Sequence, residues 1–336
     1  MREGKRLAES RGPILVGPWL SEVGYEVLYW VPFLAWFLKE FQIPSSRLWC
    51  FSRGGSALWY RNFSENYLDI FELMTPEEYR QANEARWAER KGAQKQKGVS
   101  LFDRALMEKA QRHLDWEQFE LLHPSVMYTS LRHFWKGSMG SNWLETHTRF
   151  APLSTTTLSQ TRETLGLPES YLAVKIYFNA SFPRTSENER FCRLLLKRLS
   201  QKLPVVLLDT GLKVDDHEEL SGGRDGIISL REKWHPVKNL EQQTAVVAGA
   251  ESFYGTYGGF SYLGPFLNVP SISFYSNPEH FFHGHLHAAQ LAVRSLRGVL
   301  PRADFSALQV KTLEALLEES QSRPSLATSK VLEVTC

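Results

Sequence analysis

The sequence predicts an α/β protein of two lobes, each built on a parallel sheet, with a helical insertion in the N-terminal lobe. Three observations point there. A strand, helix, strand pattern fills the first fifty or so positions, and a second, more regular alternation of strands and helices runs from Tyr171 to Tyr275. The chain has 336 residues, 43% of them hydrophobic, enough for two domains that each bury a core.

In order, Pro13-Ile-Leu-Val-Gly17 reads as a short strand, and Glu26 to Phe41, rich in Leu, Phe and Trp, as a buried helix. Pro32 should kink that helix or mark its first turn. Arg47 to Ser52 is a second strand, closed by Arg53-Gly54-Gly55, and the three elements form a parallel β-α-β unit. Between about 75 and 116 the composition turns to Glu, Arg, Lys, Gln and Ala, predicting exposed helices inserted into the first lobe. The basic stretch Arg86 to Lys97 reads as a solvated helical face in preference to a polyanion site. The segment His123 to Phe150 is rich in aromatics and His without a clear period, so no element is assigned to it.

The expected division is an N-terminal lobe over 1–153, a connector over 154–169, a C-terminal lobe over 170–300 and a helix and tail over 301–336. The second lobe should hold strands Tyr171–Phe178, Pro204–Asp209, Gly226–Leu230, Ser252–Gly255 and Ser271–Tyr275. Helices are expected over Ser186–Gln201, Leu240–Ala250, from Phe260 onward and over Ala307–Ser320, with a frayed tail from Gln321.

A net charge of +2 and a pI near 8.3 carry no bulk polyanion signature, so no nucleic-acid partner is expected. Cys50, Cys192 and Cys336 form no C-x-x-C pair, which suits a reducing cytoplasm. The N-terminus lacks an apolar signal region, and the longest apolar run, Val27 to Leu38, is too short to span a bilayer. Cytoplasmic placement is therefore expected, and peripheral contact with the inner face of a membrane is compatible with it.

The most informative segment is Phe253 to Pro270. A strand ends at Gly255, Gly258 and Gly259 allow a tight turn, and a helix begins with Ser261 near its cap. Backbone N–H groups and a helix start would face a bound phosphate there. Tight packing of strand against helix is the alternative reason for these glycines. The strand, the Gly-Thr-x-Gly-Gly turn, the short helix and the Asn268-Val-Pro270 lead resemble the nucleotide-sugar half of GT-B glycosyltransferases, which have two Rossmann-like lobes with parallel sheets facing a central cleft. The resemblance covers about the last third of the chain, is moderately specific, and implies donor contacts at Thr256, Gly258, Gly259, Ser261 and Tyr262.

Ser21-Glu-Val-Gly-Tyr-Glu-Val-Leu-Tyr-Trp-Val-Pro32 is similar to the first loop of heptosyltransferase-like enzymes, where Gly-Asp-Val-Leu precedes a Pro-containing helix. There the loop carboxylate takes the proton of the acceptor hydroxyl. Glu26, directly before Val-Leu, matches better than Glu22, but Tyr25 is inserted and Glu replaces Asp, so the choice between the two stays open. A helix-start acid that complements the dipole is the plainer role for Glu26. Inverting transfer needs such a base, and cationic or dipolar stabilisation of the leaving diphosphate.

Lys175 on a strand and Arg184 in the loop after it, near the strand end where open α/β sheets bind ligands, could each neutralise a donor phosphate. Burial against a structural partner is the other role open to Lys175. Thr185 or Ser186 should cap the next helix, with Glu189 as partner. His235, in Trp234-His-Pro236, and Asn239 lie where a donor base or ribose would sit, and the His-Pro pair resembles that of CMP-sugar-using transferases. Asp215-Asp216-His217 could suggest a metal, but no Asp-x-Asp occurs, so no metal site is expected. His280, His283 and His287 could share a helix face and bind zinc, although a surface or interlobe contact is preferred. Trp30 and Trp36 read as core, while Trp59-Tyr60 reads as an acceptor platform or as packing.

Together these features predict an inverting, metal-independent glycosyltransferase that takes a nucleotide-sugar donor as substrate, acts on a glycan acceptor and uses no further cofactor. A nucleotide-sugar epimerase of the same fold and a non-catalytic nucleotide- or sugar-binding module are the alternatives.

Overall fold

The computed structural model of the chain describes residues 2–89, 95–156, 158–210, 218–219 and 226–322. The chain forms two compact units, one of Met1–Ser154 with His235–Glu241, the other of Thr155–Trp234 with Gln242–Cys336. The segment His235–Glu241 groups with the first unit. Among the described residues no helix is long and apolar enough to cross a membrane.

The first unit holds a parallel sheet of β1 (Ile14–Val16), β2 (Leu48–Ser52), β3 (Asn66–Asp69) and β4 (Glu120–Leu122), in the order β3-β2-β1-β4. Ile14 stands opposite Leu48 on one side and Glu120 on the other. All of β1 is buried, as expected of a parallel strand covered on both faces. The expected buried helix is led by an α turn, Val23–Tyr25, passes through a π turn, Glu26–Trp30, and is α-helical again over Val31–Glu40. Pro32 has no N–H to donate into the ladder, and it falls directly after the π turn, where the helical hydrogen-bond register changes. Trp30, Phe33 and Phe37 are buried and stack in sequence along this helix.

The insertion contains helices Pro76–Glu89 and Leu101–His113. Their inner faces are not merely solvated: Tyr79, Asn83 and Arg86 of the first and Asp103, Leu106 and Ala110 of the second are buried. The reading of Arg86 as part of a solvated face is therefore corrected, because its Nη2 donates to Leu20 O (3.0 Å) inside the unit. The unassigned stretch folds as helices Ser125–Ser130, Arg132–Trp135 and Ser141–His147.

The second unit contains β5 (Leu172–Lys175), β6 (Tyr177–Phe178), β7 (Val205–Leu207), β8 (Glu218–Glu219), β9 (Ile227–Ser229), β10 (Ser252–Thr256), β11 (Ser271–Tyr275) and β12 (Phe305–Gln309). Six of them make a parallel sheet in the order β12-β11-β10-β5-β7-β9, while β6 pairs antiparallel with β8. From β5 the chain adds β7 and β9 on one side, then returns to place β10, β11 and β12 on the other. That is the doubly wound dinucleotide-fold order.

Helix Ser186–Ser200 lays Phe191, Cys192, Leu195 and Leu199 against Val174, Leu207 and Phe274 in the core. Thr185 caps it by accepting from Asn188 N, while Glu189 bonds Arg184 instead of closing a capping box. The expected connector contains a helix, Leu158–Leu165, whose end residues are buried in this unit. The expected tail helix starts late: Phe305–Gln309 is strand β12 beside β11, and the helix is Val310–Ser322. A short apolar run is ambiguous between strand and helix, and pairing along the exposed side of β11 decides it.

Candidate functional site

In each unit the strand order reverses once, and ligands of open α/β sheets bind beyond the strand ends at that reversal. In the first unit it lies at β1, which has β2 on one side and β4 on the other. The loop leaving β1 is held by its carbonyls. Pro18 O accepts from Gln96 Nε2 (2.8 Å), Trp19 O from Arg53 Nη1 (3.2 Å), Leu20 O from Arg86 Nη2 (3.0 Å) and Ser21 O from Arg53 Nη2 (3.0 Å). Leu20 N donates back to Gln96 Oε1 (2.8 Å). Gln96, Arg53 and Arg86 are all buried, so these bonds are shielded from competing water. Gln96 also donates to Asp103 Oδ1 (2.7 Å), which faces His123 Nε2 at 3.1 Å.

This clamped loop leads directly to Glu22 and Glu26. Glu22 is half-buried, and its backbone carbonyl accepts from Glu26 N (3.2 Å). Lys95 lies near Glu22; burial lowers the lysine's pKa, and the carboxylate partly offsets that. Glu26 is 0% exposed. Its Oε1 accepts from Ser52 Oγ (2.6 Å) and from the Tyr60 hydroxyl, and its Oε2 has no hydrogen-bond partner among the described residues. Burial pushes its pKa up to about 7, against the opposing pull of the Arg53 charge and of the Ser52 and Tyr60 hydrogen bonds.

The surroundings of Glu26 come from the ends of the neighbouring strands. Ser52 ends β2, Tyr60 ends the short helix Ala57–Tyr60, and Asp69 ends β3. Between them Gly54 and Gly55 take φ of +70° and +77°, aiming consecutive N–H groups at the Asp69 carboxylate (3.3 and 2.7 Å). Gly54 O in turn accepts from Leu240 N (2.9 Å) and Glu241 N (3.1 Å). Asn239 is buried here with its Nδ2 on Pro236 O (2.7 Å), while His235 is exposed. The structure thus places these two expected donor contacts in the first unit.

In the second unit the reversal lies between β5 and β10, and the glycine turn follows β10 at that point. Gly258 and Gly259 have φ of +111° and +50°. A Cβ added at either would meet the Tyr177 hydroxyl, at 3.2 and 2.9 Å respectively. The turn continues as a 3-10 segment, Gly259–Tyr262, and one α turn, Leu263–Phe266. Ser261 Oγ accepts from Gly258 N (3.2 Å), so the turn uses one of the N–H groups expected to face an anion.

Around this turn Thr256 Oγ1 accepts from Tyr177 N (3.1 Å) and donates to Tyr177 O (2.8 Å), locking β10 to β6. Lys175 is buried and donates from Nζ to Leu208 O and Gln243 Oε1, each at 3.0 Å, with Phe260 5.2 Å away. Tyr262 is buried against Tyr257 and Phe305. Arg184 has a half-exposed side chain bonded to Glu189 Oε1 (2.7 Å) and lying over Phe178. Lys175, Thr256, Gly258, Gly259 and Ser261 therefore gather at one strand-order reversal.

The sequence reading missed Ser52, Arg53, Asp69 and Tyr177 as parts of these sites, and offered Tyr60 only as a platform. Ser52 and Arg53 carried a signal, since they follow a predicted strand end; Asp69 and Tyr177 are recruited by sheet pairing alone. His280 sits in a 3-10 turn before helix His283–Leu296, so it does not share that helix with His283 and His287. Among the described residues no three His, Cys, Asp or Glu side chains group as a metal site requires, and Asp215-Asp216-His217 lies outside those residues.

No protein-family profile matches this sequence, and no curated protein does. Among the solved structures similar in chain course are three glycosyltransferases. They are ADP-heptose lipopolysaccharide heptosyltransferase II of E. coli (11% identity, 87% of this chain and 99% of that one, TM-score 0.42) and a glycosyltransferase family 9 protein of Veillonella parvula (14%, 94% and 90%, 0.46). The third is the glycotransferase of kitacinnamycin (11%, 95% and 93%, 0.32).

Proposed function

We propose that this chain is an inverting, metal-independent glycosyltransferase that moves a sugar from a nucleotide-sugar donor to a hydroxyl of a glycan acceptor. The observation that carries the reading is Glu26: a buried carboxyl with a pKa of about 7, one oxygen without a partner among the described residues, and a place at the strand-order reversal of its sheet. A general base works best when its pKa lies near the operating pH, and environments that achieve this cluster at functional sites.

In this reading Oε2 of ionised Glu26 takes the acceptor hydroxyl's proton as the hydroxyl oxygen bonds to the anomeric carbon. The bond from that carbon to the donor's diphosphate oxygen breaks, and the diphosphate leaves with the electron pair. Glu22, one turn earlier and half-buried, is the alternative base. The donor diphosphate is assigned to the backbone around Gly258 and Gly259, which Tyr177 borders, with Arg184 as the neighbouring cation. The doubly wound strand order around that turn supports a nucleotide-type ligand. The absence of Asp-x-Asp from the sequence supports transfer without a metal.

A thermal-shift panel of UDP, GDP, ADP, CMP and dTDP tests the donor half, since a ligand that binds only the folded state raises its apparent stability. The matching nucleotide sugars then test turnover by nucleotide release. Glu26→Gln should keep the nucleotide shift and lose turnover by about 100-fold or more. Turnover lost in Glu22→Gln alone moves the base to Glu22, and no shift with any nucleotide overturns the reading.

A further inference from the structure

We propose that the first unit carries a second binding site, for a single pyranose bearing a carboxylate or phosphate, in a cavity between helix Val31–Glu40 and the helices of 125–147. The cavity measures about 220 Å³ and is walled by Trp36, Phe37, Trp143 and His147, with Arg132 and His133 among its lining residues. Pockets for drug-sized ligands run to roughly 300–1,000 Å³, so this one suits one ring rather than a nucleotide or an oligosaccharide.

The walls are aromatic and continuous. His147 stacks on Trp143 at 3.9 Å between centroids and lies 4.7 Å from Trp36. Such a surface covers the C–H face of a pyranose while its hydroxyls keep their edges for polar partners. The polar partners are defined by their existing bonds. His147 Nδ1–H donates to Trp143 O (2.9 Å), so its Nε2 remains for a ligand hydroxyl. Arg132 donates from Nε to His133 Nε2 (3.0 Å), which fixes His133 as an acceptor at that nitrogen.

The terminal nitrogens of Arg132 have no carboxylate partner among the described residues, and Arg132 is exposed. Every ionisable group lining the cavity is basic. A guanidinium presents two parallel donors that match a carboxylate or phosphate edge, which selects an acidic sugar over a neutral one. An occupant that is apolar throughout would cover this cation without satisfying it.

The site is separate from the Glu26 centre. Trp36 follows Glu26 by ten positions on one helical run, about 15 Å of rise, and Glu26 faces Ser52 of β2 whereas Trp36 meets His147. It requires no assumption about sugar transfer.

Saturation-transfer NMR on the full chain with D-glucuronate, glucose 6-phosphate, glucose and benzoate tests it without any turnover. Saturable binding is expected for glucuronate, glucose 6-phosphate or both, the two arms telling carboxylate from phosphate, with glucose weaker by about tenfold, the scale of a lost hydrogen bond to a charged group. Arg132→Gln should remove that tenfold preference, and Trp143→Ala should weaken every sugar. Arg132 is exposed, so its variant folds and keeps the test decisive if Trp143→Ala does not. Benzoate competing as well as the acids in Arg132→Gln would reduce the site to an apolar cavity. Absence of saturable binding by both acids, or an acid preference that survives Arg132→Gln, overturns it.

Discussion

Ser52 Oγ lies 2.6 Å from Glu26 Oε1, the last residue of β2 donating to a carboxyl that the π turn carries into the interior. The relationship sets a buried acid against the strand ends, where burial holds its pKa near 7 instead of the ordinary 4.5. Protons are then bound more tightly by the folded chain than by the unfolded one. The contribution to stability is fully present below pH about 4.5, falls as pH rises toward about 7, and is constant above that. The loss across that window is on the order of 3 kcal/mol. Glu26→Gln removes it, so denaturant midpoints measured from pH 4.5 to 8 should converge or cross as pH rises, the variant gaining on the parent. Parallel profiles would contradict the assignment.

Tyr60→Phe deletes a hydroxyl that favours the ionised form of Glu26. The carboxyl should become a weaker acid, and the acid limb of any turnover profile should move up by about one pH unit or more, as for the loss of one hydrogen bond to a charged group. The carboxyl band of Glu26, isolated by infrared difference against Glu26→Gln, reads the same midpoint without substrate. A midpoint that stays in place or moves down rejects the coupling.

Arg86 reaches from the insertion to Leu20 O, beside Asn83 Oδ1 on its own helix (2.8 Å). Arg86→Ala leaves a buried carbonyl without that donor and should cost about 3 kcal/mol in urea unfolding. A solvated arginine would cost under about 0.5 kcal/mol, which would sink the idea that the insertion holds the loop.

At Gly259, φ of +50° and the Tyr177 hydroxyl 2.9 Å from an added Cβ both oppose a side chain. Gly259→Ala should destabilise by about 1–2 kcal/mol and weaken any nucleotide-induced thermal shift. Adding Tyr177→Phe removes the steric part only, so the double variant should recover a fraction of the loss. Full additivity would separate Tyr177 from the turn.

Lys175→Met withdraws the ammonium from Leu208 O and Gln243 Oε1, and an unfolding loss of about 2–4 kcal/mol is expected. Arg184→Ala, at a half-exposed ion pair, should cost under about 1 kcal/mol and act on nucleotide affinity instead. Comparing the two by thermal shift, with and without nucleotide, separates a packing lysine from a ligand-facing arginine.

By itself the sequence determined the elements whose signals are local. The apolar runs of β1, β2, β5, β7 and β11, the amphipathic helix after Thr185 and the glycines at 258 and 259 are each written in neighbouring residues, through burial, capping and positive φ. The place of Glu26 in the loop after the first strand was legible for the same reason. Tertiary structure alone decided what surrounds it. Tyr60 and Asp69 reach the site because β2 and β3 pair beside β1, and Gln96 and Arg86 because the insertion folds back on the loop. A carboxyl's pKa depends on how much water those neighbours exclude and on which donors they turn inward. No spacing along a chain encodes either quantity, so Glu26 became a distinct group only when the sheet had assembled around it.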